Sequence, residues 1–208
     1  EAWLSSHKEE PIEPDLPICD PHHHLWDRSD LKYLVEEFLN DMKGGHNIVQ
    51  TVFVDCHSKY REKGAEEMKP VGETEFVQRI TAEQTTAGVA AGIVSFADLI
   101  LGDAVAPVLE AHIAAGKGRF RGVRHSTAWD PSPVIQSYMN SPSGLMMDAR
   151  FRKGFSYLRK YELSFDAWLY HTQIIEVADL ARAFPETNIV VDHTGGPLNM
   201  GPYVGRGE

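Results

Sequence analysis

The sequence predicts an α/β protein built on a parallel sheet, because short apolar runs alternate with segments of helical periodicity. Six strand-and-helix steps follow one another between residues 17 and 193. The runs are nearly continuous in apolar residues, which is typical of strands that helices cover on both faces. Six steps fit either an open doubly wound sheet or most of a (β/α)8 barrel. No G-x-G-x-x-G follows the first strand and no Walker A motif occurs, which disfavours a nucleotide-binding open sheet.

Each predicted strand is rich in apolar or β-branched residues, and turn residues follow it. The predicted strands are 17–23, 48–55, 88–97, 119–125, 163–170 and 188–193. Before the first of them, residues 1–16 form a proline-punctuated N-terminal arm, so the predicted domain spans 17–208.

The predicted helices carry apolar residues at three-and-four spacing. They are 31–43, 74–86, 103–116, 147–160 and 172–183. In the third, Asp103 is a plausible N-cap and Gly116 a stop. Two long polar loops, 57–73 and 126–143, interrupt the pattern, and loops of this length are often functional.

Composition excludes several classes of partner. The 208 residues carry a formal net charge of −10, which argues against nucleic acid and anionic membrane surfaces. We find no apolar run that approaches the ~18 residues of a membrane span. Cys19 and Cys56 lie in strand-like runs, so we expect buried free thiols and a reducing cytoplasm. No signal peptide is recognisable at the start of the sequence.

A histidine run stands at the end of the first predicted strand, within Ile-Cys-Asp-Pro-His-His-His-Leu-Trp-Asp at 18–27. Because side chains two residues apart on a strand share a face, Asp20, His22 and His24 project to one side and His23 to the other. Two imidazoles on one strand can bind a single metal ion. The alternative is a surface tract or a tag remnant, but tags are usually longer and flanked by Gly and Ser.

Polar side chains recur where the other predicted strands end. In parallel α/β folds this side of the sheet carries the active site. Five of the six strands place histidine there, and we expect one shared polar site. The residues concerned are Asp20, His22, His24, Asp55, Cys56, His57, Arg124, His125, Tyr170, His171, Asp192 and His193.

These residues are expected to differ in role. Asp20 either orients one of the ligating histidines or serves as a turn residue before proline. Arg124 suits two-point binding of a substrate carboxylate, and its alternative is an ordinary ion pair. His171 either binds metal or caps the following helix. Since Asp192 and His193 alternate along a strand, only one can face inward, and we expect that residue to be His193.

Four segments resemble one known family. Residues 20–27 are similar to the D-x-H-x-H-L-W-D opening of the amidohydrolase 2-type TIM-barrel hydrolases, and 190–197 to their D-H-x-G-x-P sixth strand. Residues 120–125 and 164–173 resemble the fourth and fifth strands of the same family. The likeness runs from about residue 17 to the end, and it is more specific to the family than to a substrate.

The resemblance implies a (β/α)8 barrel of which this chain holds about the first six βα units. It implies a divalent metal ion, Zn²⁺ or Mn²⁺, at His22 and His24, with His171 and His193 as a further ligand and a water-activating base, although some relatives work without metal. The family barrel has an aspartate at the end of its eighth strand, whereas this sequence stops after the sixth. We therefore expect a C-terminal segment or a second chain to supply the remainder.

The sequence thus predicts metal-assisted hydrolysis of a lactone, amide or related ester, with a small anionic substrate. The metal activates water, His193 takes its proton and Arg124 holds the substrate, so that His193, His171 and Arg124 are the candidate catalytic residues. The alternatives are non-oxidative decarboxylation of an aromatic acid, a catalytically silent fragment that needs a second chain, and a complete six-stranded binding domain. A homo-oligomer is left open.

Overall fold

A six-stranded parallel sheet forms the centre of the structure, a computed structural model that describes residues 9–82, 88–135 and 137–205. The strand order β1-β4-β5-β6-β7-β8 confirms the predicted parallel α/β class, and each step along the sheet is a crossover connection. A two-residue hairpin, β2 with β3, stands apart from the sheet. The strands are β1 Pro17–His23, β2 Trp26–Asp27, β3 Lys32–Tyr33, β4 Asn47–Val54, β5 Gly92–Ser95, β6 Phe120–Arg124, β7 Ser164–Ala167 and β8 Ile189–Val191.

The five predicted helices are present with shifted ends. They are α1 Val35–Asp41, α2 Val71–Thr81, α3 Ala106–Gly116, α4 Ala149–Lys160 and α5 Ile174–Ala183. The prediction 31–43 was too long, because Lys32–Tyr33 pairs with Trp26–Asp27 instead of joining α1. Helix α2 begins three residues before the predicted start at 74, and positions 83–86 of that prediction lie outside the described residues.

Asp103 does not cap α3, contrary to the prediction. The chain forms a 3-10 segment, Leu99–Val105, before α3, and Asp98 caps it by accepting from the Ile100 N–H at 3.0 Å. The Asp103 carboxylate instead accepts from the Tyr157 hydroxyl at 2.6 Å. The predicted helix start was wrong because the sequence does not distinguish an aspartate that binds a neighbouring helix from one that caps its own helix.

The stretch Leu99–Gly116 contradicts the prediction that no apolar run approaches membrane-spanning length. Its 18 residues have a mean hydropathy of 1.4, so it passes by length and composition. The stretch is broken at Gly102, whose φ of 58° is left-handed. Leu99, Val105 and Leu109 from this stretch are buried in the main core, so its apolar residues serve packing between α3, α4 and the sheet.

The sheet is curled, because side chains from its two edge strands meet. Strands β1 and β8 lie at opposite ends of the strand order, yet His22 Nδ1 is 3.8 Å from Asp192 Oδ1. The core lies between the sheet and the helices and is rich in aromatic residues, including Phe53, Phe151, Phe155 and Phe165. The curl brings the carboxyl ends of nonadjacent strands to one place, which is what assembles the candidate site.

The two cysteines differ in environment. Both are free thiols, as expected. Cys56 is buried, but Cys19 is exposed, so the prediction that both are buried was wrong for Cys19. The reason is its place on β1, an edge strand that has a neighbour on one side only. Residues 9–10 and 12–16 of the predicted N-terminal arm are exposed, and 1–8 lie outside the described part.

His112 is a fully buried histidine within α3 that serves the core. Its Nδ1 lies 2.8 Å from the Thr74 hydroxyl and its Nε2 donates to the Phe96 carbonyl at 3.1 Å, so it joins α3 to α2 and the sheet. Burial lowers the pKa of His112 from its ordinary value of 6.5 to about 4. The folded protein therefore holds this imidazole neutral where the unfolded chain would protonate it.

This difference predicts an acid-side loss of stability that depends on His112. Below pH 6.5 the unfolded chain takes up the proton and the folded protein does not, so the free energy of unfolding falls as the pH drops to about 4. In the variant His112→Gln this fall should be smaller by about 3 kcal/mol over that range. Urea unfolding at a series of pH values measures the slope. An unchanged slope would contradict a neutral, buried His112.

Gly154 allows a close approach between α4 and the Leu99–Val105 segment. A Cβ at this position would lie 2.1 Å from the Leu99 carbonyl oxygen. Glycine to alanine inside a helix ordinarily stabilises by ~1 kcal/mol. Here we expect Gly154→Ala to destabilise by about 2 kcal/mol, because backbone must shift to admit the methyl group. Thermal and urea unfolding decide the sign, with Ser156→Ala on the same helix as a control expected within about 0.5 kcal/mol of the wild type.

Candidate active site

The first strand presents the histidine run as alternation predicts. The rings of His22 and His24 lie 5.0 Å apart, edge to face, on one side of β1. His24 Nδ1 donates to the Val54 carbonyl of β4 at 2.7 Å, which fixes the ring and leaves the lone pair on Nε2. His23 points the other way, where it is buried and stacks on Phe38 with ring centroids 4.1 Å apart. The run therefore has two faces: His22 and His24 face the candidate site, and His23 faces the core.

Asp192 and His193 both reach the site, so the expectation that only one faces inward was wrong. Strand β8 ends at Val191, and His193 and Thr194 adopt left-handed backbone conformations with φ of 51° and 55°. Strand alternation ends before these residues, so it does not apply to them. Asp192 is buried and faces Arg124 and the His22 ring, while the His193 ring lies 4.9 Å from the His22 ring.

Arg124 joins three strands at this edge of the sheet. From the end of β6, its Nε lies 3.1 Å from Asp192 Oδ2 after β8, and its Nη1 donates to the Asp55 carbonyl after β4 at 2.8 Å. The guanidinium also lies 6.0 Å from the centre of the Trp168 ring. Two of its nitrogens, Nε and Nη1, already contact protein groups. Two-point binding of a substrate carboxylate by Arg124 therefore stays a prediction. The ion pair that was its alternative is present, but it is buried.

The electrostatics favour neutral imidazoles on β1. Burial lowers the pKa of His22 to about 3, and His24 and Arg124 act in the same direction. Burial also lowers the pKa of His24. For the carboxyls the direction is opposite, since burial raises the pKa of Asp192 against the effect of Arg124. Asp166, one strand away on β7, has a pKa raised to about 7 by burial and by Asp192. Neutral imidazole is the form that binds metal ions.

His171 and Asp20 occupy more peripheral positions. His171 Nδ1 accepts from the Leu198 N–H at 3.3 Å and its ring packs edge-on against Tyr203. Its part as a ligand or base stays a prediction. It does not cap the following helix, since Tyr170 and Gln173 hold the N-cap positions of the 3-10 segment and of α5. Asp20 Oδ1 accepts from the His22 backbone N–H at 3.2 Å, so its side chain orients the strand and not the imidazole.

A cavity of about 260 Å³ lies beside the histidines, against the ends of β4, β5 and β6. Its walls combine polar side chains of His57, Asp98, His125 and Asn140 with apolar ones of Phe96, Ile100 and Leu145. His125 is buried, and burial lowers its pKa to about 4. His57 connects the cavity to the site, because its Nε2 lies 3.3 Å from Asp55 Oδ2 and the Asp55 carbonyl accepts from Arg124. Two of the three strand-end histidines outside the main cluster, His57 and His125, thus line this cavity.

Several residues near the site were not assigned roles by sequence reasoning. The Trp168 ring centre lies 5.1 Å from that of His193 and 6.0 Å from the Arg124 guanidinium. From the sequence alone, a tryptophan in a predicted strand is interpreted as a core residue. Asp166 and Glu73 are buried acids, which periodicity places but cannot pair. The sequence places Asp192 at a strand end, but the direction of its side chain depends on the left-handed turn that follows β8. The signal that could have found it is its place before histidine and glycine.

No three His, Cys, Asp or Glu side chains in the described ranges are grouped closely enough to hold a metal ion together. In the histidine cluster, the His22 ring lies 5.0 Å from the His24 ring and 4.9 Å from the His193 ring. Among the described residues, His22 Nε2 is buried without a hydrogen-bond partner, and Asp192 Oδ1 has the His22 ring as its neighbour at 3.8 Å. Unsatisfied buried polar atoms cost free energy, so His22 Nε2 would be stabilised by a further group.

Comparison with known sequences decides the family. The family model described as amidohydrolase, Amidohydro_2, matches residues 19–204. The chain belongs to the amidohydrolase family. An uncharacterized protein, y4mH, of Sinorhizobium fredii (strain NBRC 101917 / NGR234) is 32% identical over 87% of this chain and 63% of its own length. This amidohydrolase chain therefore spans less than two thirds of that relative.

Solved structures show the same fold at low identity. A crystal structure of an amidohydrolase from Burkholderia multivorans with bound HEPES has a TM-score of 0.58, at 19% identity over 85% of this chain and 57% of that one. A second crystal form of it, with bound Zn, has a TM-score of 0.58 at 18% identity, with the same coverage. Amidohydrolase 2 from Bifidobacterium longum subsp. infantis has a TM-score of 0.57, at 15% identity over 90% and 66% of the two chains.

The buried ion pair predicts a large cost when one partner is removed. Asp192→Asn leaves Arg124 charged and buried, and we expect the free energy of unfolding to fall by about 3 kcal/mol. Urea unfolding measures the change. The matched control is Glu186→Gln, which breaks the exposed Arg159–Glu186 pair at 3.3 Å and should cost less than about 0.5 kcal/mol. Equal costs for the two variants would contradict a structural role of the Arg124–Asp192 pair.

Proposed function

We propose that this amidohydrolase hydrolyses a lactone, amide or related ester with a small anionic substrate. The observation that carries the proposal is the convergence of three imidazoles, of His22, His24 and His193, beside a buried Arg124–Asp192 ion pair at the carboxyl edge of a parallel sheet. Membership of the amidohydrolase family supports hydrolysis as the reaction type. The lactone, amide or ester substrate is what the family resemblance of the sequence motifs implies, and the anionic group of the substrate is inferred from Arg124.

We further propose that His22 and His24 bind a divalent metal ion, Zn²⁺ or Mn²⁺. Their chemistry fits such an ion, because His22 Nε2 is buried without a partner among the described residues and His24 keeps its lone pair on Nε2. The zinc of the Burkholderia multivorans structure supports this assignment. Two imidazoles would leave further ligand positions, which water would fill. When bound, the metal would acidify water and polarise the substrate carbonyl.

The protein side chains would divide the remaining work. His193, exposed at the mouth, would take the proton of the attacking water. Arg124 would attract an anionic group with its remaining nitrogen, Nη2, since Nε and Nη1 are engaged. Asp192 would hold that guanidinium in place. The cavity next to His57 would take the part of the substrate that does not react.

We also propose that further strands complete the barrel between β1 and β8. These two strands are the edges of the described sheet, and Val190 and Val191 on β8 are 48% and 43% exposed. The curated relative is longer than this chain, and so are the structural neighbours. A remaining segment would cover these edges and bring the third metal ligand, and a second copy of the chain is the alternative source.

The test is metal analysis and substrate profiling of the protein that contains this chain. The wild type should carry one divalent ion and turn over members of a panel of small lactones, amides and esters. In His22→Ala/His24→Ala we expect loss of that ion and a fall in kcat/KM of at least about a thousandfold, since the metal acts in the transition state. The matched control His23→Gln changes the histidine of the same run that faces the core, and it should keep both metal and rate.

Each other outcome selects against this proposal. Retained metal and rate in the double variant would remove the two histidines from the site. Carbon dioxide release from aromatic acids without hydrolysis would select decarboxylation on the same scaffold. Residues 1–208 that fold alone as an inert monomer, with no activity on adding the remaining segment, would favour a binding domain.

A further inference from the structure

Glu73 is a fully buried carboxyl group at the first turn of α2, outside the cluster of histidines. Its Oε1 accepts from the Ser58 N–H at 2.7 Å and from the Cys56 N–H at 3.2 Å. The Cys56 thiol donates to the same oxygen at 3.6 Å. One carboxyl oxygen thus binds three donors from the segment that follows β4, here called the 55–58 segment.

The packing around Glu73 leaves α2 little freedom to move. A Cβ on the preceding residue, Gly72, would lie 2.5 Å from the Arg61 backbone nitrogen and 2.7 Å from the Lys59 carbonyl oxygen. The helix start therefore sits directly against the loop that leaves the 55–58 segment. Such contact fixes the distance between the Glu73 side chain and this segment.

The second oxygen of Glu73 indicates that the group carries a proton. Oε2 is buried and has no hydrogen-bond partner among the described residues, while the Glu73 and Asp55 side chains interact. Burial, and then Asp55, raise the pKa of Glu73 well above its ordinary value. Ionising two neighbouring buried carboxyls together is costly, because burial disfavours each charge and the two charges repel each other. A proton on Oε2 would make Glu73 a donor toward Asp55.

Asp55 connects this acid to the candidate site. Its Oδ1 accepts from the Tyr60 hydroxyl at 2.9 Å and its Oδ2 lies 3.3 Å from His57 Nε2, at the cavity. Its backbone carbonyl accepts from Arg124 at 2.8 Å. His57 holds a left-handed conformation, with φ of 57°, which is uncommon for residues other than glycine.

We propose that Glu73, as a neutral carboxylic acid, is a positioning residue that fixes the 55–58 segment and thereby the carbonyl that holds Arg124 and the side chain of His57. The inference rests on the proposed hydrolysis for its effect on rate. Glu73 itself touches neither the histidine cluster nor a substrate. Its effect passes through hydrogen bonds to backbone, which a neutral amide reproduces and an apolar side chain does not.

The test compares Glu73→Gln with Glu73→Leu in the protein that contains the chain. Glutamine keeps the acceptor and a donor without charge, so we expect kcat/KM within about threefold of the wild type. Leucine fills similar space without hydrogen bonds, and we expect kcat to fall about a hundredfold with metal content unchanged, because displaced groups lose their reactive geometry. Glu75→Gln, on the exposed face of the same helix, is the control and should leave kcat unchanged.

Two measurements do not depend on turnover. Infrared spectra at neutral pH should contain a carbonyl band of a protonated carboxyl that disappears in Glu73→Gln. Hydrogen exchange at the Cys56 and Ser58 amides should quicken in Glu73→Leu and stay at the wild-type rate in Glu73→Gln. If the leucine variant fails to fold, the infrared band and the glutamine kinetics decide the question.

The failures are distinguishable. A wild type that hydrolyses nothing in the panel would overturn the proposed function, while the band and the exchange rates would still report on Glu73. A glutamine variant as slow as the leucine variant would overturn the neutral-acid assignment. Faster exchange in Glu73→Leu with full kcat would overturn the positioning role, because the segment would then be loosened without consequence for the reaction.

Discussion

The interaction on which the rest of the site depends is the contact of Arg124 with Asp192 and with the Asp55 carbonyl. It joins the ends of β4, β6 and β8 by side-chain and carbonyl contacts, whereas strand pairing joins only neighbours in the sheet. Asp192 in turn faces His22 on β1, so four strands meet around one guanidinium. A buried cation needs such partners, because its desolvation is costly. The buried charge of Arg124 needs Asp192 and the Asp55 carbonyl as partners, and this need determines how the carboxyl edge of the sheet is assembled.

That cation also influences the protonation of its neighbours. Burial and Arg124 both lower the pKa of His22, so the imidazole stays neutral and one of its nitrogens keeps a lone pair that can bind a metal ion. The acids respond to burial in the opposite direction, and Asp166 and Asp192 stand near one arginine. Arg124 cannot fully compensate both carboxylates, which favours a proton on Asp166. Glu73 and Asp55 are likewise two neighbouring buried carboxyls. In each of the two pairs, a proton on one carboxyl removes its electrostatic repulsion of the other.

Much of this arrangement could be predicted from the sequence, and the limits are physical. Periodicity found the six parallel strands and the face shared by His22 and His24, because strand alternation is a local property. Alternation failed for Asp192 and His193, since their direction depends on left-handed backbone after β8. Asp103 was mistaken for a cap because its partner, Tyr157, is distant in sequence. The pairing of Arg124, Asp192 and Asp55 is likewise a property of the curled sheet, and no local pattern contains it.

The curl of the sheet bears on how a longer protein would close its barrel. The contacts between the two edge strands lie at the carboxyl end, between His22 and the residues after Val191. Along the strands themselves, the outer backbone groups of β1 and β8 pair with no other strand in the described ranges. Additional strands could therefore pair with both edges without breaking the ion pair that organises the site. Because exposed edges also favour unwanted pairing between chains, such closure would protect the fold as well as complete the ligand set.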